Sequence, residues 1–144
     1  MSAVPTLFLP GIQSAQLPDL SRSEVRKRLS PAAIDGFFAI AEMWALSAEQ
    51  AGELLGGMPR SSLYKLRKAH GTLRQDELTR ISYIAGIYKA LHILLPSKLA
   101  DRWITRPNAH PLFAGAPPLD YIVRNGIPGL QNVRRMLDAE TERH

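Results

Sequence analysis

The sequence predicts an all-α fold. No stretch alternates apolar and polar residues as a half-buried strand does, while apolar residues recur at helical spacing in one segment after another. Between those segments stand serine, proline and glycine at the places where helices start and stop.

Residues 1–20 contain Pro5, Pro10, Gly11 and Pro18 without sustained periodicity, and they read as an extended arm. The arm lacks a basic leader, and its apolar run is too short for a signal peptide. "SRSEVRKRL" pairs Ser21 with Glu24 in a capping-box pattern, predicting a short basic helix over 21–29. Ser30-Pro31 then reads as the cap and first position of a new helix. Its apolar face is Ile34, Phe37, Phe38, Ala41 and Trp44. Ser47 and Gln50 form another capping box, opening a helix that stops at Gly56-Gly57. Pro59 opens the next, which ends near Gly71.

The spacing predicts the longest helix over 75–94. Leu78, Ile81, Ala85, Tyr88, His92 and Leu95 form one stripe, and Ile84, Ile87, Leu91 and Leu94 a second. Two stripes call for burial on more than one side. Gly86 in its middle costs about 1 kcal/mol against alanine, so it marks a close approach, either within the chain or across a dimer axis. Pro96 ends this helix, and a shorter one runs from Ser97 to about Thr105. The stiff, apolar loop "PNAHPLFAGAPPLDY" follows. A short helix is expected from Pro118 to Arg124, a stop at Asn125-Gly126, and a last helix from Pro128 to about Ala139.

The chain has 144 residues and no cysteine, which removes disulfides, thiolate metal sites and cysteine nucleophiles. The most apolar helical stretch, 78–95, carries Arg80, Lys89 and His92, which membrane spans rarely tolerate. A soluble, cytoplasmic protein is expected. The four histidines show no metal-ligand spacing, and Ser62-x-x-Lys65 stands without the companion motifs of a serine nucleophile. No catalytic residue, metal or cofactor is expected.

The net charge is +5 and the isoelectric point near 9.9, which favours an anionic partner. Residues 60–74 hold Arg60, Lys65, Arg67, Lys68 and Arg74 with no Asp or Glu. Together with the capped helix and glycine turn before them, they form a helix-turn-helix pattern. Ala51 and Gly52 let the two helices approach, and Leu63 and Leu66 face inward. Arg60, Ser61, Ser62, Tyr64, Lys65 and Lys68 are left to meet DNA, since arginine reads guanine edges and lysine and serine hold phosphates. The turn is one residue longer than usual.

Residues 75 to about 139 resemble, in order, the toxin-binding domain of the Xre/MbcA/ParS antitoxin family. The resemblance is carried by Arg102-Trp103, Pro107-Asn108, Gly115 with Pro118-Leu119, Gly126, and the closing helix Val133 to Leu137. The helix-turn-helix upstream is similar to the family's N-terminal domain. With the arm over 1–20, the expected parts are three: that arm, a helix-turn-helix domain over 21–74, and, as the resemblance implies, a small helical toxin-binding domain over 75–144. It implies a type II antitoxin whose partner is a RES-domain toxin that consumes NAD or transfers ADP-ribose. In such families the antitoxin dimerises, occludes the toxin's active site and represses its own operon. Toxin contacts are then expected at Asn108, Leu112, Phe113, Tyr121, Arg124, Asn125, Arg134, Arg135 and Asp138, with Trp103, Pro118 and Leu119 as scaffold. A homodimer through helix 75–94 or helix 31–45 is expected. The alternative is a free-standing helix-turn-helix regulator whose C-terminal half only dimerises.

Overall fold

A computed structural model of the chain describes residues 18–143. The expected arm lies almost wholly outside the described residues. Among them are six helices and no strand: α1 Ser23–Met43, α2 Ala48–Leu54, α3 Arg60–Ala69, α4 Gln75–Leu94, α5 Ser97–Trp103 and α6 Pro118–Glu142.

Helix α1 merges two helices that the sequence suggests are separate, and Pro31 lies inside it. Ser30 is therefore not a cap. Its hydroxyl donates to the Arg26 carbonyl (2.6 Å) and accepts the backbone N–H of Leu73 (2.8 Å). Proline's missing N–H leaves the Lys27 carbonyl without a helical donor, on an exposed residue of the helix. The continuous buried face Leu29, Ala33, Ile34, Phe37, Ile40 and Ala41 holds the helix through the proline. Nor does Ser21 cap: Arg22 takes the N-cap position without a side-chain bond, and Ser21 turns to Asp19.

Helix α4 is the centre of the molecule. It packs against α1 on one side and α6 on the other, with α5 folded back at its C-terminal end. That accounts for its two apolar stripes: Ile81, Ile84, Ile87, Tyr88 and Leu91 are all buried within one chain. The stripes therefore need no second copy to cover them. Nor is α4 the longest helix, since α1 and α6 both exceed its 20 residues.

Helix α6 spans both C-terminal helices read from the sequence and bends between them. Gly126 has φ 64° and ψ −141°, a left-handed kink where the stop at Asn125-Gly126 was expected. After it Leu130, Val133 and Leu137 are buried, and the helix runs on to Glu142 rather than ending near Ala139 in a free tail. Gly86 faces this segment. A Cβ built there would lie 1.6 Å from Arg134 Nη1, so the close approach lies within the chain.

Candidate functional site

Helix α2 begins at a complete capping box: Ser47 Oγ accepts the Gln50 N–H (3.0 Å), and Gln50 Oε1 accepts the Ser47 N–H (2.9 Å). Gly56 and Gly57 then turn the chain with φ of 92° and 98°, values L-residues rarely adopt. The N–H groups of Gly57 and Met58 both donate to the Gly52 carbonyl at 2.9 Å. Gly52 itself is tightly enclosed, because a Cβ there would lie 2.2 Å from the Met58 carbonyl oxygen. This closure sets α3 against α2, with Leu63 buried and Leu66 packed against the core.

The opposite side of α3 is open. Arg60, Ser61, Ser62, Tyr64, Lys65 and Lys68 are all exposed, Tyr64 by 64%. Of the five cations in 60–74, two are engaged elsewhere. Arg67 pairs with Glu42 (2.7 Å) and lies over the Phe38 ring, 5.2 Å from its centre. Arg74 pairs with Glu77 (2.9 Å), and that hydrogen bond holds its guanidinium above the usual arginine value. Arg60, Lys65 and Lys68 have no carboxylate partner, and Lys68 Nζ stands 5.5 Å from the centre of the Tyr64 ring. Three free cations, two hydroxyls and a projecting tyrosine on one helix face suit a phosphate backbone and base edges.

In the C-terminal half the apolar loop closes on itself. Asn108 N–H donates to the Ala116 carbonyl (3.2 Å), and Gly115 N–H donates to the Asn108 carbonyl (2.9 Å). Asn108 Oδ1 accepts the His110 N–H at 2.9 Å. Phe113, expected as a surface anchor, is only 4% exposed. Its ring meets Trp103 edge-on at 5.6 Å and Tyr121 at 5.7 Å, so this residue is part of the interior. The loop stretch contributes Phe113, Pro118 and Leu119 to the core, while Pro107, Ala109, Pro111 and Ala114 stay exposed. Leu112 and Tyr121 are half-buried, and the Tyr121 hydroxyl accepts from Asn132 Nδ2 at 2.9 Å.

The expected polar contacts line α6. Arg124 and Asn125 are exposed just before the kink, and Asn125 Nδ2 donates to the Tyr121 carbonyl (2.8 Å). Arg134 lies across Gly86 and donates from Nε to both carboxylate oxygens of Asp138 at 3.1 Å. Arg135 is exposed, and its Nη1 donates to Asn132 Oδ1 (2.8 Å). Sequence reasoning missed a groove of about 310 Å³ where α4, α5, the loop and α6 meet. Leu91, Leu94, Leu95, Trp103, Met136 and Leu137 line it, with Asn108, His110 and Glu140. The signal available was the C-terminal end of the second α4 stripe, Leu91 and Leu94.

His92 joins α4 to α5. Its Nδ1 is 3.0 Å from the Tyr88 carbonyl and its Nε2 3.1 Å from Asp101 Oδ1, while the ring stacks on Tyr88. It is a packing residue. Among the described residues no group of three or more His, Asp and Glu side chains is arranged to hold a metal ion. No described helix is long and apolar enough to cross a membrane.

Comparison with known families decides what these two halves are. Residues 21–86 match the antitoxin Xre-like helix-turn-helix domain, and residues 90–142 match the antitoxin Xre/MbcA/ParS C-terminal toxin-binding domain. The chain belongs to the Xre/MbcA/ParS antitoxin family. The antitoxin is also similar to the uncharacterized protein y4oB of Sinorhizobium fredii (strain NBRC 101917 / NGR234). The two are 43% identical over 111 residues, 76% of this chain and 84% of that protein. No solved structure matches the antitoxin. The matched domains are those of DNA-binding antitoxins and not of enzymes. The antitoxin thus has a helix-turn-helix for DNA and a separate domain for a protein toxin. The free cations of α3 fall in the first match, and all the residues lining the groove fall in the second.

Proposed function

We propose that this antitoxin neutralises a RES-domain toxin, one that consumes NAD or transfers ADP-ribose, by occluding its active site. We further propose that it acts in the cytoplasm as a homodimer and represses its own operon through α3. The observation that carries the reading is the pairing of two matched domains in one chain, each with an open face. On α3 that face carries Arg60, Ser61, Ser62, Tyr64, Lys65 and Lys68. On the C-terminal half Arg124, Asn125 and Arg135 are exposed, and the toxin contacts are proposed there and at the part-buried Asn108, Leu112, Tyr121, Arg134 and Asp138. The apolar groove lies beside the loop.

A toxin cleft that holds the phosphates and ribose of NAD offers anion-pairing groups and, for the chemistry, acidic ones. Arginines engage carboxylates bidentately, and Asp138 suits the anion-pairing groups. Occlusion is then steric competition with NAD, without chemistry by the antitoxin. Dimer contacts are proposed on the outer faces of α1 and α4, where Met43 and Ile93 stand 44% and 62% exposed.

The test is co-expression with a RES-domain toxin, reading cell growth and NAD content. The parent protects, and Arg124→Glu with Arg135→Glu loses protection while remaining folded. Equal protection by that variant refutes the contact surface. NAD binding to the purified complex as tightly as to free toxin refutes occlusion.

A further inference from the structure

The two ends of the recognition helix differ in charge. At the N-terminal end of α3, Arg60 lines a cleft together with Glu49 and Glu53, so the local charge there is one cation to two carboxylates. At the other end stand Lys65 and Lys68, both exposed and without a carboxylate partner. The acidic residues of α1 are already paired: Asp35 with His70 (2.7 Å), Glu42 with Arg67 (2.7 Å), and Glu24 with Arg22. A polyanion lying on α3 is therefore drawn toward its C-terminal end.

What lies beyond that end is the start of α1. After α3 the chain runs back along α1, as His70 meets Asp35, Leu73 N–H donates to Ser30 Oγ, and Arg26 Nε donates to the Leu73 carbonyl (3.2 Å). The face of α1 turned toward α3 carries Asp35, Phe38 and Glu42. Lys27 precedes Phe38 by about three helical turns and Arg28 precedes Asp35 by about two, so each falls within roughly 20° of that row. Both are exposed, and neither has a carboxylate partner. Arg26, by contrast, is engaged with the carbonyls of Leu20, Ser21 and Leu73. Seven residues of helix place Arg28 about 10 Å beyond Asp35 along α1, on the side away from the α2–α3 turn.

We infer that the first turns of α1 are a second phosphate-binding face, on which Lys27 and Arg28 hold the backbone bordering the groove that α3 enters. This rests on the DNA-binding reading and adds to it the residues that position the duplex. Base edges are read by α3, and Lys27 and Arg28 contribute affinity without sequence preference.

The test uses the full chain and a mixed-sequence duplex of about three helical turns, titrated by fluorescence anisotropy across a range of salt. Lys27→Ala with Arg28→Ala removes two phosphate contacts. The slope of log affinity against log salt falls by about 1.8, and binding weakens about 60-fold near 0.1 M salt. Lys98→Ala with Arg102→Ala on α5 removes the same net charge from exposed cations of the other domain and leaves the slope unchanged. Circular dichroism confirms folding, which these exposed residues do not support.

Equal slope changes in the two variants, or none in the α1 variant while Arg60→Ala with Lys65→Ala weakens binding, overturn this inference alone. A parent chain without salt-dependent duplex binding overturns the DNA reading itself and this inference with it.

Discussion

Gly52→Ala tests whether the helix-turn-helix is held by backbone contact. In an open helix this substitution stabilises by about 1 kcal/mol, because alanine restricts the unfolded chain and favours the helix. Here the new Cβ lies 2.2 Å from the Met58 carbonyl oxygen, with Leu63 Cδ1 at 3.5 Å behind it. A carbonyl cannot swing aside as a side chain does. That region also presents the Met58 and Gly57 N–H groups, both bonded to the Gly52 carbonyl. The turn must open by roughly 1 Å, at the upper end of the 1–3 kcal/mol typical of overpacking. The net expectation is a loss of about 2 kcal/mol, or roughly 6–10 °C in melting temperature for a chain of this size. Urea denaturation followed by circular dichroism measures it. Duplex binding should fall as well, since the same shift rotates α3 away from its seat. Gly71→Ala is the control: nothing lies within 4 Å of its Cβ position, so it should be neutral or slightly stabilising. A Gly52→Ala variant as stable as the parent would refute the close-packed turn.

Phe113→Ala should cost about 3–5 kcal/mol, because its ring is interior, and thermal melting of the isolated antitoxin will show the loss before any toxin is added. Gly86→Ala should come within about 0.5 kcal/mol of neutral: the helix gains about 1 kcal/mol, while Arg134 swings out and gives up its pair with Asp138 and its packing. A loss beyond 1.5 kcal/mol in denaturation would mean that the guanidinium cannot move. Ser30→Ala removes the acceptor of the buried Leu73 N–H and should cost about 1–3 kcal/mol. Hydrogen exchange at Leu73 should rise with it. Removal of residues 124–144 takes Leu130, Val133 and Leu137 out of the core, so such a truncation should unfold the C-terminal half, and point variants are the cleaner probe of toxin contacts.

The sequence by itself determined the helices whose signals are local. The Ser47–Gln50 box, the Gly56-Gly57 turn, Pro59 before α3, Pro96 after α4 and the break at Gly126 each act within a few residues. Each is found in the structure at or beside the expected position. The exposed face of α3 follows from the same helical periodicity. Tertiary structure decided everything that depended on a partner far along the chain. Whether Ser30-Pro31 starts a helix or lies within one rests on Leu73, more than forty residues away, and on a buried face that outweighs one lost backbone bond. Periodicity shows that α4 carries two apolar stripes, but not that α1 and α6 of the same chain cover them. Phe113 has the composition of a hot spot and the position of a core residue, because Trp103 and Tyr121 close over it. Gly86 announces a close approach, and only the packing names Arg134 as what approaches. Caps and turns carry their own hydrogen-bond partners in adjacent residues, whereas burial is shared between segments that only the folded chain brings together.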